Sequence, residues 1–333
     1  MATLSTSWPT LLDVARRTDP DGSIAAVAEI LNLQNEALDD IPWFEGNLPT
    51  GNKTTVRTGI PAPTWRKLYG GVLPTKSTTA QVTDTCGMME AYAEVDKALA
   101  DLNGNTAEWR LSEEKPFIEG FNQELMNKLF YGSEITAPET FTGLAPRYSS
   151  LSALNAENII DGGGTGSTNN SIWLVVWGDQ TCFGLYPKGS KAGLLTEDKG
   201  QVTVESAPDG SGGRYEAYRT HYRWDAGLVL RDWRYVVRIC NIDRTTLTKD
   251  NATGADLTDL MTQAIELIPN INMGRAVFYV NRRHRSFLRR QIINKVKNSS
   301  LTMEEIAGRK VVAFDGIPVR RVDILGTDEA RIT

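Results

Sequence analysis

Histidine and cysteine are scarce in this chain of 333 residues: two histidines, His221 and His284, and three cysteines, Cys86, Cys182 and Cys240. The histidines lie in separate segments and no cysteine pair has CxxC spacing, so no clustered metal site is expected. An odd number of widely spaced cysteines also argues against a disulfide framework, and the thiols are read as buried or half-buried. No apolar run approaches the ~18 residues of a membrane helix, and the N-terminus lacks a basic stretch followed by an apolar one. These absences lead to the expectation of a cytosolic chain without membrane contact. A surplus of positive charge is missing as well. Lys and Arg number 36 against 41 Asp and Glu, a net charge of −5, which argues against a dedicated polyanion binder but permits a local basic patch.

Signatures of catalysis are equally thin. The run DGGGTGSTNN at 161–170 has the glycines of a phosphate cradle, but a strand-like SIWLVVWG follows where a helix should start, and no lysine stands at the Walker position. A flexible loop is the favoured reading. No GxSxG elbow surrounds a serine, and Ser167 follows no predicted strand. The carboxylate pairs Glu113-Glu114 and Glu304-Glu305 read as solvated helix faces. No catalytic, cofactor-binding or metal-binding residue is assigned.

What is present is ordinary globular composition, 41% hydrophobic and 23% charged, in a chain long enough for two lobes. Residues 1–20 form a polar arm with an apolar patch, and an amphipathic helix is predicted from Asp21 or Ser23 towards Pro42. Two Thr- and Val-rich runs, 52–58 and 76–85, flank GIPAPTWRKLYGGVLPT, whose prolines and Gly70-Gly71 rule out a regular central strand. The pattern is an extended hairpin without a core of its own, and such hairpins are marginal in water unless something else holds them. Residues 86–102 fit both strand and helix spacing; a strand turning helical near Glu94 reconciles them. A helix is predicted from Ala107 to about Tyr131 with Phe117, Ile118, Phe121, Leu125 and Leu129 on its apolar face, Pro116 as a kink or a break between two helices, and Gly132 at its end.

Residues 133–170 lack periodicity and read as a long connection. From Ser171 the texture is β: 171–178, 182–189, 201–206 and a pair of long strands over 214–242. A helix capped by Asp256 runs to Ile268, the strand RAVFYVN follows, then a cationic helix RRHRSFLRRQIINKV, and the chain closes with a hairpin around Asp315-Gly316. The basic run Arg282, Arg283 and Arg285 reads better as salt bridges between subunits than as a nucleic-acid face. Arg57, Arg66 and Lys67 near the hairpin tip read the same way, with Trp65 as an interface anchor.

In this order the parts resemble the major capsid protein of tailed bacteriophages of the Hong Kong 97 type, particularly those of short-tailed phages of the epsilon-like and Bordetella groups. The arm and helix to Ile41, the hairpin of 48–85, EWRLSEEKPFIEGFNQELMNKLFYG, CFGLYPKGSKAGL, VFYVNRRHRSFLRRQ and FDGIPVRRVDIL carry the resemblance. It implies an α+β fold with an N-terminal arm over 1–41, an extended loop over 42–85, a peripheral domain with a spine helix over 86–132, a mostly axial domain over 133–275, and completing strands and helix over 276–333. It further implies a non-enzymatic protein without cofactors. Pentamers and hexamers of that protein would form an icosahedral virion shell around double-stranded DNA, assembled in the host cytoplasm. The partners implied are copies of itself, separate scaffolding and portal proteins, and decoration proteins where used. An enzyme with a site in the β-rich middle, or a tail or portal-adjacent virion protein, are the rival readings, and assembly size discriminates among them.

Overall fold

The computed structural model describes residues 35–102, 106–205, 212–247, 254–294, 301–306, 309–326 and 328–333. In its first half are strands β1 (Trp43–Glu45), β2 (Gly51–Gly59), β3 (Thr78–Asp96), β4 (Ile159–Asp161), β5 (Asn169–Trp177) and β6 (Cys182–Tyr186), with helix α1 (Thr106–Tyr131). Strands β7 (Leu195–Val204), β8 (Tyr215–Leu230), β9 (Val236–Asp243), β10 (Arg275–Val280), β11 (Leu301–Ile306), β12 (Arg309–Phe314) and β13 (Ile317–Arg321) follow, with helices α2 (Leu257–Glu266) and α3 (Arg282–Asn294). Two compact units share these elements. The larger comprises Gln34–Gly87, Met126–Ala192 and Ala226–Thr333; the smaller includes Met88–Leu125 and Gly193–Asp225.

The larger unit is built on β5. Its sequence NNSIWLVVW does not alternate, as befits a strand covered on both faces, and all nine residues are buried. Antiparallel β9 and β10 flank it, β13 lies parallel to β10, and β12 and β11 continue as an antiparallel meander. Ile172, Leu174 and Val176 share one core with Val237, Ile239, Met261, Phe278, Val280 and Leu288. Trp173, offset by one residue, meets Phe130 and Tyr148 instead. Asp256 caps α2 by accepting from the amides of Thr258 and Asp259. Asp315 and Gly316 link β12 to β13 with φ of 51° and 76°, the two positive angles of a type I′ turn.

In the smaller unit the second half of β3 alternates, with Ala93 and Val95 buried and Met88 and Tyr92 exposed. Ala93, Phe121 and Tyr222 form one cluster; Val95, Ala100 and Trp109 form another. Antiparallel β7 and β8 complete this unit, with a register irregularity between Asp198 and Gln201.

Several sequence expectations hold and several are corrected. β3 continues to Asp96 before a single helical turn at Lys97–Ala100, so the strand reading of the ambiguous segment wins and the switch falls two residues later than expected. α1 is one continuous helix with Pro116 inside, not two abutting helices. Ile118 is 52% exposed, off the buried face, while Trp109, Met126 and Phe130, absent from the expected face, are buried. Gly132 does not take a left-handed angle; it is needed because a Cβ there would lie 2.5 Å from the carbonyls of Lys128 and Phe141. The long strands over 214–242 take different partners, β8 with β6 and β7, and β9 with β4 and β5. Glu304-Glu305 lies on strand β11 rather than on a helix. The connection 133–170 is packed, with Phe141, Leu144, Tyr148 and Ile159 buried. Most of the first predicted helix lies outside the described residues, and its expected end, Glu36–Asp39, is a 3₁₀ turn.

Candidate assembly surface

The hairpin begins where β2 leaves the body of the larger unit. β2 pairs antiparallel with the first half of β3 from Gly51↔Thr85 to Gly59↔Thr78. Thr and Val favour this extended backbone, and Pro61, Pro63 and Pro74 end the ladder beyond it because proline donates no hydrogen bond. At the tip Trp65 and Tyr69 are fully exposed, and Ile60, Leu68 and Leu73 are more than four-fifths exposed. Arg57, Arg66 and Lys67 are exposed beside them. Burying such a group of large apolar side chains would stabilise a contact by about 1.5–3 kcal/mol per side chain.

The base of the hairpin is held firmly. Arg147 donates to Asp84 at 2.8 Å and to the carbonyls of Thr142 and Leu228 at 3.0 and 3.3 Å. Asp84 is buried, which pushes its carboxyl up while the Arg147 guanidinium opposes the shift. Thr85 donates to Glu134. A Cβ at Gly51 would lie 2.1 Å from the carbonyl of Asp84, so only glycine permits this close crossing. A clamped base and an open apolar tip are what a protruding contact arm requires.

The other basic group sits in the first turn of α3. Arg282 lies 3.4 Å from Asp323 and Arg285 lies 3.1 Å from Glu36, so both have partners within the chain. Arg283 is exposed. Between them His284 is completely buried, and burial together with Arg283 pushes its titration down to about 4. The seven candidate contact residues thus form two groups, Arg57, Trp65, Arg66 and Lys67 on the hairpin and Arg282, Arg283 and Arg285 on α3.

Sequence reading missed two polar clusters, one around the buried Arg238 and one around the buried Asp40. Glu329 accepts from Tyr131 at 2.6 Å, from Arg238 at 2.9 Å and from Ser171, while its own amide donates to the carbonyl of Asn169. Asp40, with no exposed side-chain surface, lies 2.6 Å from Arg275 and 3.3 Å from Arg320. One signal for the first was a lone Arg238 inside the apolar run VVRICNI, since a buried cation requires a partner.

The segments weighed for chemistry are accounted for by packing. Cβ atoms at Gly162 and Gly164 would crowd the carbonyls of Cys240 and Asn241, so these glycines let the loop lie against β9. His221 stacks on Tyr92 at 4.5 Å and lies 3.4 Å from Glu90. None of the three cysteines forms a disulfide; burial pushes Cys240 up to about 11 and Cys182 higher still. Among the described residues no group of three or more His, Cys, Asp or Glu could hold a metal ion, and no helix is long and apolar enough to cross a membrane.

Comparison with known proteins gives these features a context. A family model described as major capsid protein GP7 matches residues 19–333. A chain from the cryo-EM structure of bacteriophage Epsilon15 is 39% identical over 99% of both chains, with a TM-score of 0.78. The capsid of bacteriophage JBD30 is 9% identical over 89% of this chain and 93% of its own, with a TM-score of 0.46. The SrpI encapsulin of Synechococcus elongatus is 10% identical over 71% and 97%, also at 0.46. No curated protein sequence matches the chain. With the model match and the Epsilon15 likeness both spanning nearly its full length, the chain belongs to the major capsid protein GP7 family, structural proteins that form phage shells.

Proposed function

We propose that this shell protein assembles as pentamers and hexamers into a closed icosahedral capsid around double-stranded DNA. The observation that carries the reading is the clamped hairpin with its exposed Ile60, Trp65, Leu68, Tyr69 and Leu73, since an apolar group of this size calls for cover by another molecule. Closed shells need heterologous contacts that tolerate slightly different angles in rings of five and six, and a projecting strap enlarges such contacts while its base sets its direction. Trp65 is the anchor, with Arg57, Arg66 and Lys67 around it, and Arg282, Arg283 and Arg285 form a second inter-subunit patch.

In this reading residues 1–41 are an arm and 42–85 the strap. Residues 86–132 are a peripheral domain with α1 as its spine, 133–275 are mostly an axial domain, and 276–333 complete the core. The protein acts without catalysis or cofactor, assembles in the host cytoplasm, and meets scaffolding, portal and decoration proteins as well as DNA. Family membership favours this over an enzyme in the β-rich middle or another virion component. Electron microscopy and sedimentation of the purified protein test the reading: shells, hexamers or pentamers are expected, and a stable monomer or dimer would overturn it.

A further inference from the structure

Among the described residues β2 has one strand partner, β3, so its other edge is open. Which backbone groups face that edge can be read from one side chain. Asn47 accepts from the amide of Lys53 at 2.8 Å and donates to the carbonyl of Lys53 at 2.7 Å, imitating a neighbouring strand. The N–H and C=O of one strand residue point to the same side, and the direction alternates along the strand. With Lys53 facing outward, Thr55 and Arg57 face outward too, while Asn52, Thr54 and Val56 face β3. The register is regular through these positions, its irregularity falling between Arg57 and Gly59. Asn47 therefore closes the edge at Lys53 and leaves it open at Thr55 and Arg57.

A cleft of 430 Å³ runs along this stretch, lined by Lys53–Arg57 together with Gln180, Arg231 and Asp232. Its charge is one-sided. Lys53, Arg57 and Arg231 contribute three cations, and the one carboxylate, Asp232, is held by Arg234 at 2.7 Å. Arg231 gives one nitrogen to Asp179, but its Nε is buried without a hydrogen-bond partner. The lining is polar, which disfavours an apolar helix or a lipid. An extended segment fits better, because it can satisfy the open backbone groups as an added strand and offer carboxylates to the cations. The chain itself carries 41 Asp and Glu against 36 Lys and Arg, so a second copy is complementary in charge to this cationic cleft.

We infer that the open edge of β2 at Thr55 and Arg57 is a strand-addition site for an extended, carboxylate-bearing segment of a second copy of this chain. The inference rests on the shell-forming reading and gives it a polar contact separate from the apolar hairpin tip. Hydrogen exchange of the full-length protein as dissociated subunits and as shells tests it. In shells the amides of Thr55 and Arg57 are expected to exchange at least about tenfold more slowly, as ladder amides do relative to open ones. Shells assembled from mixed ¹⁴N and ¹⁵N protein and treated with a carbodiimide identify the occupant. Cross-links from Lys53 to an Asp or Glu of another copy are expected in shells and not in subunits. Unchanged exchange at both amides, or cross-links from Lys53 confined to its own chain, would overturn the inference while leaving the shell reading intact. Failure of the wild-type protein to form shells would overturn both.

Discussion

β5 and the β2–β3 hairpin are both extended chain, but their sequences send them to opposite fates. β5 carries the apolar run 172–177 and buries all nine residues, whereas the Thr-rich β2 leads to a tip whose tryptophan is fully exposed. A buried strand stabilises the chain that contains it. An exposed one with large apolar side chains contributes little there, and its apolar area becomes favourable only when another molecule covers it. On the proposed reading, stability and assembly rest on different residues of the same unit, and substitutions should separate them.

The largest effect on stability is expected at the centre. Trp173→Ala removes a fully buried side chain that meets Phe130, Tyr148 and the Arg238 guanidinium, and should cost about 3–5 kcal/mol in denaturant unfolding. Arg147→Ala comes next. It leaves Asp84 buried without its cation, at a cost of about 3 kcal/mol near neutral pH that shrinks in acid as the carboxyl takes up a proton. An equal loss at pH 4 and pH 7 would contradict that electrostatic role.

His284 gives a pH signature. Folding lowers its titration from 6.5 to about 4, so the unfolded chain binds the extra proton between those values and stability from this group falls as pH falls through that window. The effect is up to about 3 kcal/mol, fully present above pH 6.5. Asp40 and Asp84 act with the opposite sign, because burial raises their titration and disfavours their charged forms as pH rises. His284→Asn should therefore reduce the acid loss of stability between pH 6.5 and 4 in unfolding curves, and an unchanged slope would exclude His284 as its source. Trp65→Ala should have the smallest effect on stability, within about 0.5 kcal/mol, since nothing is unburied in the isolated chain. Its shell yield should nonetheless fall, as scored by sedimentation.

Local chemistry made much of this legible beforehand. The Asp-Gly link, the Asp256 cap, the unbroken apolar run of β5 and the proline-punctuated hairpin each follow from backbone geometry within a few residues. Legibility ended where distant segments decide. The pairing of β8 with β6 and β7 rather than β9, and the Glu329 cluster with Tyr131, Ser171 and Arg238, join residues far apart in sequence. Ile118 fell off the expected face because the helix packs through Trp109, Phe121 and Phe130, and the partner surfaces that select this face are set by tertiary packing. The open edge at Thr55 and Arg57 was hidden for a related reason, since its orientation is revealed by the Asn47 side chain rather than by the strand itself.

The most direct measurement compares the wild-type chain with one in which residues 60–74 are replaced by a short Gly-Ser turn, each examined by electron microscopy after purification. Both should unfold at similar denaturant concentration, because the deleted residues lie beyond the clamped base. Wild-type protein should yield shells or capsomers and the shortened chain should not. Intact shells from the shortened chain would contradict the central claim that the exposed hairpin tip drives assembly.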